Sequence, residues 1–233
     1  MSQQRLVIRG GRPLSGTIVP SGNKNAALPI LAACLLTDEE VVLENVPDIL
    51  DVHVMLALLD DLGVSVRDAG PGTLALRAER LRTTKVDPDL SRRLRASLLL
   101  AGPLLARCGR VEMPLAGGDF IGRRRVDTHL LAFRELGAVC EVDRGYRLSQ
   151  AGLRGAEIFL DEASVTATEN ALMACVTAPG RAVILNAASE PHVQDLAHFL
   201  VALGARIDGI GTNRLIVDGV ERLGGGRFRI GPD

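Results

Sequence analysis

Aromatic side chains are almost missing from this chain. It has five Phe, one Tyr and no Trp in 233 residues, so it offers no stacking platform for the bases of single-stranded nucleic acid. Charge of one sign is missing as well. With 27 basic against 28 acidic residues the net charge is -1, and no overall field draws in nucleic acid or an anionic membrane. An anion site must then be a local cluster of cations. Long hydrophobic runs are absent: Ala26 to Leu36 is broken by Pro29, Leu98 to Ala106 by Gly102-Pro103. Both fall short of the ~20 residues a bilayer needs. Met1 to Ile8 carries no apolar core of a secretion signal. These absences predict a cytoplasmic protein with no membrane and no nucleic-acid partner.

Metal and redox signatures are equally sparse. Cys34, Cys108, Cys140 and Cys175 have no CxxC spacing and read as buried free thiols in a reducing compartment. His53, His192 and His198 have no ligand company and read as structural or surface residues. His129 could hold a hydrogen bond or help bind phosphate. No P-loop or Ser-His-Asp set occurs. Gly209-Ile210-Gly211 lacks the rest of a dinucleotide fingerprint and reads as a turn between strands. No cofactor and no metal are expected.

What is present is aliphatic. Apolar residues make up 47%, enough for a sizeable core built from Leu, Val, Ile and Ala. Leu6-Val7-Ile8 and Thr17-Ile18-Val19 read as strands. A pattern then occurs three times. Each copy opens with a helix apolar nearly all round: Ala26 to Leu36, Leu94 to Ala106, and Ala171 to Ala178. A β-rich stretch follows: Val41-Leu43, Val111-Met113, Val183-Leu185. Next comes a loop with an acid near a helix N-terminus, at Asp51, Asp127 and Asp195, where negative charge is favourable. The second helix of each copy stops at a Leu-Gly pair, with glycines at 63, 137 and 204, the usual C-terminal signal. Leu74-Leu76, Tyr146-Leu148 and Leu215-Val217 close the copies as strands.

A helix apolar on all sides is buried, whereas these strands carry polar residues as in a sheet with one wet face. The predicted fold class is therefore α/β with helices inside and sheets outside, in three repeats of βαβαββ type. The repeats cover about residues 21–80, 89–150 and 155–219, within one domain over 21–220. The stretch 221–233 reads as a crossover, with Gly224-Gly226 flexible and no packed cap.

One loop carries the chemistry: Ala116-Gly117-Gly118-Asp119-Phe120-Ile121-Gly122-Arg123-Arg124-Arg125-Val126-Asp127. A carboxylate stands between glycines and beside three guanidinium forks. That set suits a phosphorylated or carboxylated substrate, and equally a solvated loop with a local salt bridge. Arg95, in an apolar helix, needs a partner for its charge.

The stretch Ser21-Gly22-Asn23-Lys24-Asn25-Ala26-Ala27-Leu28-Pro29 resembles the opening motif of the UDP-N-acetylglucosamine 1-carboxyvinyltransferase family. The likeness continues through Leu94-Arg95-Ala96-Ser97, the glycine loop, Val126-Asp127-Thr128-His129, Ser164-Val165-Thr166-Ala167-Thr168-Glu169-Asn170 and Gly219 to Gly225. It spans the whole chain. It implies an inside-out α/β barrel domain of the enolpyruvyl transferase type, about half of a family member. Residues 1–20 would then belong with a second domain, which would complete the active site. It also implies the reaction: the enolpyruvyl group moves from phosphoenolpyruvate to the 3-hydroxyl of UDP-N-acetylglucosamine, in peptidoglycan synthesis.

By position, the resemblance assigns Lys24, Asn25, Arg95 and Arg124 to phosphoenolpyruvate. It assigns Arg95, Arg124, Arg125, Val126, Asp127, Thr128, Glu162, Ala163, Ser164 and Val165 to the sugar nucleotide. Asp119, Lys24 and Arg95 are the implied catalytic residues. Asp119 falls where most members carry a reactive cysteine as general acid, which implies resistance to fosfomycin, an alkylating agent of that cysteine. An ordinary Asp titrates near ~3.9, so burial or a neighbouring anion must raise it for that task. A non-catalytic half that only binds sugar nucleotide, or that pairs with a separate second-domain chain, is the alternative.

Overall fold

The computed structural model describes residues 5–11, 13–115, 117 and 125–233. The first repeat runs α1 (Lys24–Ala33), β1 (Glu40–Glu44), α2 (Leu50–Leu62), β2 (Ser65–Gly70) and β3 (Thr73–Arg77). A short α3 (Pro88–Arg93) leads into the second. There a 3-10 helix (Arg95–Leu100) continues into α4 (Ala101–Cys108), then β4 (Arg110–Pro114), α5 (Asp127–Glu135), β5 (Val139–Val142) and β6 (Gly145–Ser149). The third holds β7 (Glu157–Phe159), α6 (Val165–Cys175), β8 (Arg181–Leu185), α7 (Pro191–Ala202), β9 (Arg206–Asp208) and β10 (Arg214–Asp218), and β11 (Gly226–Arg229) follows.

The three repeats build one sheet each, with strand orders β11-β1-β3-β2, β4-β6-β5 and β7-β8-β10-β9. The plan is the same every time. A first strand pairs antiparallel with the last of its repeat, which pairs with the middle one. On the other flank lies a parallel neighbour: β7 beside β8, β11 beside β1, and the isolated Lys85–Glu112 bridge beside β4. Strand residues alternate as a half-buried sheet requires: Val41 and Leu43, Val111 and Met113, Ala182 and Ile184 point inward. Between the sheets the 3-10 helix with α4 packs against α1 on one side and α6 on the other. Ala26 to Ala33 and Ala167 to Cys175 are buried without a break, the polar Thr168, Glu169 and Asn170 included. Helices inside and sheets outside is therefore the observed architecture.

The three Leu-Gly signals behave as written. Gly63, Gly137 and Gly204 take φ of 104°, 96° and 104°, a region that penalises side chains. In each copy the next residue's N–H reaches five residues back (Val64 to Leu59, Ala138 to Phe133, Ala205 to Leu200) and closes the helix end.

Several expectations need correction. Leu6–Ile8 and Thr17–Val19 form no strand and are largely exposed; a strand needs a neighbouring backbone, and none pairs with them here. The helix expected from Leu94 begins one residue later and as a 3-10 helix, because Leu94 is extended (ψ 113°). The third core helix starts at Val165, six residues before the expected Ala171, since Ser164 caps it by accepting from the Ala167 N–H. Asp195 lies inside α7 and not at its end; Pro191 opens that helix after Glu190. The stretch after Gly224 is packed: β11 joins the first sheet, and Leu223 and Ile230 are buried.

Arg107 joins the repeats. Its guanidinium donates to the carbonyls of Leu35 and Thr37 at 2.8 and 2.9 Å and to Ala78 and Glu79. It thereby satisfies backbone groups that a helix end leaves open. Cys34 and Cys175 are buried, as expected, and burial pushes both thiols up to about 12; Cys108 and Cys140, expected to be buried as well, are only half-buried.

Candidate functional site

The N-terminal ends of the central helices surround a cavity of about 330 Å³. Asn25, Leu28 and Pro29 line it from α1, Ala96 and Leu99 from the 3-10 helix, Val165, Thr166 and Glu169 from α6, and His192 from α7. Each of the three repeats thus supplies a wall. Helix N-termini carry unpaired N–H groups and partial positive charge, so such ends favour anions.

Asn23 sets the first of these ends. Its Oδ1 accepts the Ala26 N–H at 3.1 Å, and its Nδ2 donates to Asp233 at 2.7 Å. Lys24 and Asn25 follow at once, at the first turn. Lys24 pairs with Asp51 of α2 at 3.0 Å, both ends partly exposed. Such a pair contributes ~0–1 kcal/mol, so Lys24 can turn to an arriving anion at little cost. Arg95 stands next to the cavity residue Ala96. Its charge is felt at His129 and at Tyr146.

A second cluster forms where α5 and α6 begin. Arg125 holds Asp127 through two bonds, Nε at 3.0 Å and Nη2 at 2.7 Å. It also pairs with Asp161, and lies 3.9 Å from Glu162. Thr128 donates to Asp161 at 2.8 Å. Arg125 lowers the Asp127 carboxyl, while the Thr128 hydroxyl first and Arg125 second lower Asp161. Arg125 is therefore occupied by carboxylates and fixes the two loops together.

Between the clusters runs a chain of hydrogen bonds with a defined direction. Asn170 Oδ1 accepts the Gly102 N–H at 2.8 Å, so its Nδ2 is the donor. That Nδ2 reaches Leu98 O and His129 Nδ1, both at 3.0 Å. His129 Nδ1 is then an acceptor, its proton sits on Nε2, and Nε2 donates to Thr166 Oγ1 at 3.2 Å. Thr166, having accepted, keeps its own O–H for the cavity it lines. His129 is 1% exposed. Burial first, and Arg95 second, push its ring down to about 3, so it is neutral at physiological pH and acts as a structural relay.

Glu169 was not among the expected site residues. It lines the cavity, is 1% exposed, and its Oε1 has no partner among the described residues. Burial first and Glu190 second raise its carboxyl well above the ordinary range. An orphaned buried polar atom costs ~1–3 kcal/mol. The sequence signal was there: one acid in a helix otherwise made of small and apolar residues. His192, expected to be structural or a surface residue, also belongs to this wall.

The expected residues thus fall into groups. Asn25 and Val165 line the cavity, with Lys24 and Arg95 beside lining residues. Val126, Asp127, Thr128, Glu162, Ala163 and Ser164 form the adjoining rim with Arg125. Ser164 caps α6 and Val126 precedes α5. Asp119, Arg124 and Arg123 lie outside the described residues. Of the glycine loop, Gly117 donates to Ser91 O at 3.4 Å, and a Cβ there would meet Arg92 O at 2.0 Å. Only glycine lets the loop lie so close to α3. A larger groove of about 630 Å³ lies elsewhere, on the second sheet. Two of its charged side chains, Lys85 and Arg147, are paired with Glu112 and Glu141.

A family model described as EPSP synthase (3-phosphoshikimate 1-carboxyvinyltransferase) matches residues 8–233. The chain belongs to the EPSP synthase family. Among curated relatives, a protein of Bradyrhizobium diazoefficiens is 54% identical over 233 residues, all of this chain and 54% of that protein. One of Treponema denticola is 52% identical over 227 residues, 97% of this chain and 53% of that protein. Both are named UDP-N-acetylglucosamine 1-carboxyvinyltransferase. The chain spans about half the length of the curated relatives it matches. Solved structures share the fold. The enolpyruvyl transferase NikO from Streptomyces tendae has a TM-score of 0.81 at 24% identity, over 96% of this chain and 53% of that one. EPSP synthase from Acinetobacter baumannii gives 0.74 at 18% identity, over 94% and 50%. No helix among the described residues is long and apolar enough to cross a membrane.

Proposed function

We propose that this chain is the sugar-nucleotide and phosphoenolpyruvate-binding half of a UDP-N-acetylglucosamine 1-carboxyvinyltransferase. The observation that carries the reading is the cavity at which one helix end from each repeat meets, with Lys24 and Arg95 beside its wall. Phosphoenolpyruvate has a phosphate and a carboxylate. Three helix ends and two neighbouring cations suit both. In this reading Lys24 and Asn25 meet phosphoenolpyruvate and the attacking 3-hydroxyl, and Arg95 and Arg124 hold the anionic groups. The rim built by Arg125, Asp127, Thr128 and residues 162–165 borders the sugar nucleotide. The proton for the methylene carbon comes from Asp119, and phosphate leaves as the adduct collapses. The setting is cytoplasmic peptidoglycan synthesis. The names carried by relatives at above 50% identity favour this substrate over 3-phosphoshikimate.

Phosphate release from phosphoenolpyruvate plus UDP-N-acetylglucosamine tests the reading. The chain alone is expected to give no turnover, and the chain with a supplied second domain to give turnover. Binding without turnover in the complemented protein would favour the non-catalytic alternative. Fosfomycin is expected not to inactivate the complemented enzyme, because an aspartate at 119 presents no thiolate to alkylate. Covalent inactivation by that epoxide would overturn the role of Asp119.

A further inference from the structure

We propose that Glu169 is a ligand-contacting residue of this site, its carboxyl group hydrogen-bonding an oxyanion seated among the helix ends. The inference deepens the proposed function and rests on that reading for the identity of the oxyanion.

The argument starts from α6. This helix buries three polar side chains, Thr168, Glu169 and Asn170. Thr168 donates to Ser164 O at 2.8 Å and accepts from the Ala188 N–H at 2.9 Å. Asn170 uses its oxygen and its nitrogen on Gly102, Leu98 and His129. Glu169 Oε1 is the one buried side-chain oxygen or nitrogen left over among the described residues. Native proteins rarely leave such an atom idle, and a reserved ligand contact is one physical reason to do so. Its position fits that reason. Glu169 lies one turn beyond Val165 and Thr166, on the helix face that walls the cavity.

The surroundings decide which form of the acid is present. From just before α7, Glu190 repels a charge on Glu169, and His192 of α7 shares the cavity wall. From α1 and the 3-10 helix come the neutral Asn25 and Ala96, with Lys24 and Arg95 one residue earlier. Burial and Glu190 together favour the protonated form. A protonated carboxyl donates to a phosphate or carboxylate oxygen and does not repel it. The proton stays on Glu169 throughout; no bond to it is broken. Thr166, its hydroxyl freed by His129, donates alongside. The site therefore offers donors without adding net negative charge.

The test uses the chain with carbon-13 in its glutamate carboxyls. The Glu169 signal is identified by its loss in Glu169→Gln. It is followed against pH, without ligand, with inorganic phosphate and with phosphoenolpyruvate. The signal is expected to titrate above the ordinary carboxylate range and to move when either anion is added. Affinity should fall as pH rises through that titration. Glu169→Gln, which keeps a donor, should bind with little change and lose this pH dependence. Glu169→Ala should bind about tenfold more weakly, the scale of one hydrogen bond to a charged partner. A signal indifferent to both anions, or an alanine variant of unchanged affinity and amide spectrum, overturns the proposal. If the alanine variant fails to fold, the glutamine variant's pH profile decides. A response to inorganic phosphate in a chain whose complemented form releases no phosphate from phosphoenolpyruvate would sink the enolpyruvyl reading and keep Glu169. Turnover with an indifferent Glu169 would do the reverse.

Discussion

At the scale of single residues, His129 shows how burial turns a titratable group into a structural one. Its ring is neutral because charging it inside the core would forfeit hydration. The consequence for stability has a definite sign. The folded-state value of about 3 lies below the ordinary 6.5, so the unfolded chain takes up the proton first. Stability from this group is complete above about pH 6.5 and is lost as pH falls toward about 3. Urea unfolding between about pH 6 and 4 should lose stability at up to ~1.4 kcal/mol per pH unit from this one proton. His129→Gln should flatten that slope. Equal slopes in the two proteins would contradict the assignment. Asp127 and Asp161 act in the same direction only at lower pH, since their carboxyls are held down by Arg125 and Thr128. Of the residues expected from their motifs, Asn25 and Val165 line the cavity. Glu169 and Asp161 were not singled out because their surroundings come from distant chain: Glu169 Oε1 has no partner among the described residues, and Asp161 gains Arg125, just before α5, and Thr128 in its first turn.

At the scale of elements, signals that are local in sequence were legible and those that depend on packing were not. The Leu-Gly pairs needed only the backbone's own geometry, and all three helix ends followed. The start of α6 was hidden because Thr166, Thr168, Glu169 and Asn170 look polar, although each belongs to a buried helix held by contacts distant in sequence. The glycine ends also separate two costs. Gly63 and Gly204 share φ of 104°. A Cβ at Gly63 would meet Arg82 N at 2.9 Å, whereas none lies near Gly204. Gly204→Ala should therefore cost only the left-handed strain of ~1–2 kcal/mol. Gly63→Ala should cost clearly more, because the chain at Arg80–Arg82 must also move. Chemical denaturation of both variants checks this; equal losses would place the whole cost in the backbone angle.

At the scale of the molecule, the three repeats close on themselves. The second and third sheets take their parallel neighbour from chain that precedes the strand it flanks, Lys85 beside β4 and β7 beside β8; the first sheet does not. That place is filled by β11, which arrives after the third. The closing segment then reaches α1: Gly231 O accepts from Asn23 N–H at 2.8 Å, and Asp233 N–H donates to Ser21 O at 2.9 Å. The threefold plan was readable from repeated patterns, but a segment with three glycines and alternating arginines gave no hint of pairing with residues some 185 positions earlier. Removing the chain from Gly224 onward should strip the cover from β1 and expose the buried Ile230 site. The amides of β1 and the first turn of α1 are expected to exchange faster with solvent in that variant. Unchanged exchange would mean that the closure contributes nothing to holding Lys24 and Asn25.

Everything functional here depends on the helix ends forming one anion-binding centre. The direct measurement is a map of backbone amide shifts in the chain as phosphoenolpyruvate and UDP-N-acetylglucosamine are added. The account predicts that shifts gather at Lys24 and Asn25, at Arg95 and Ala96, and at residues 126–129 and 161–169. Shifts gathered instead along the groove of Lys85, Arg110 and Arg147 on the second sheet, with the helix ends silent, would contradict it.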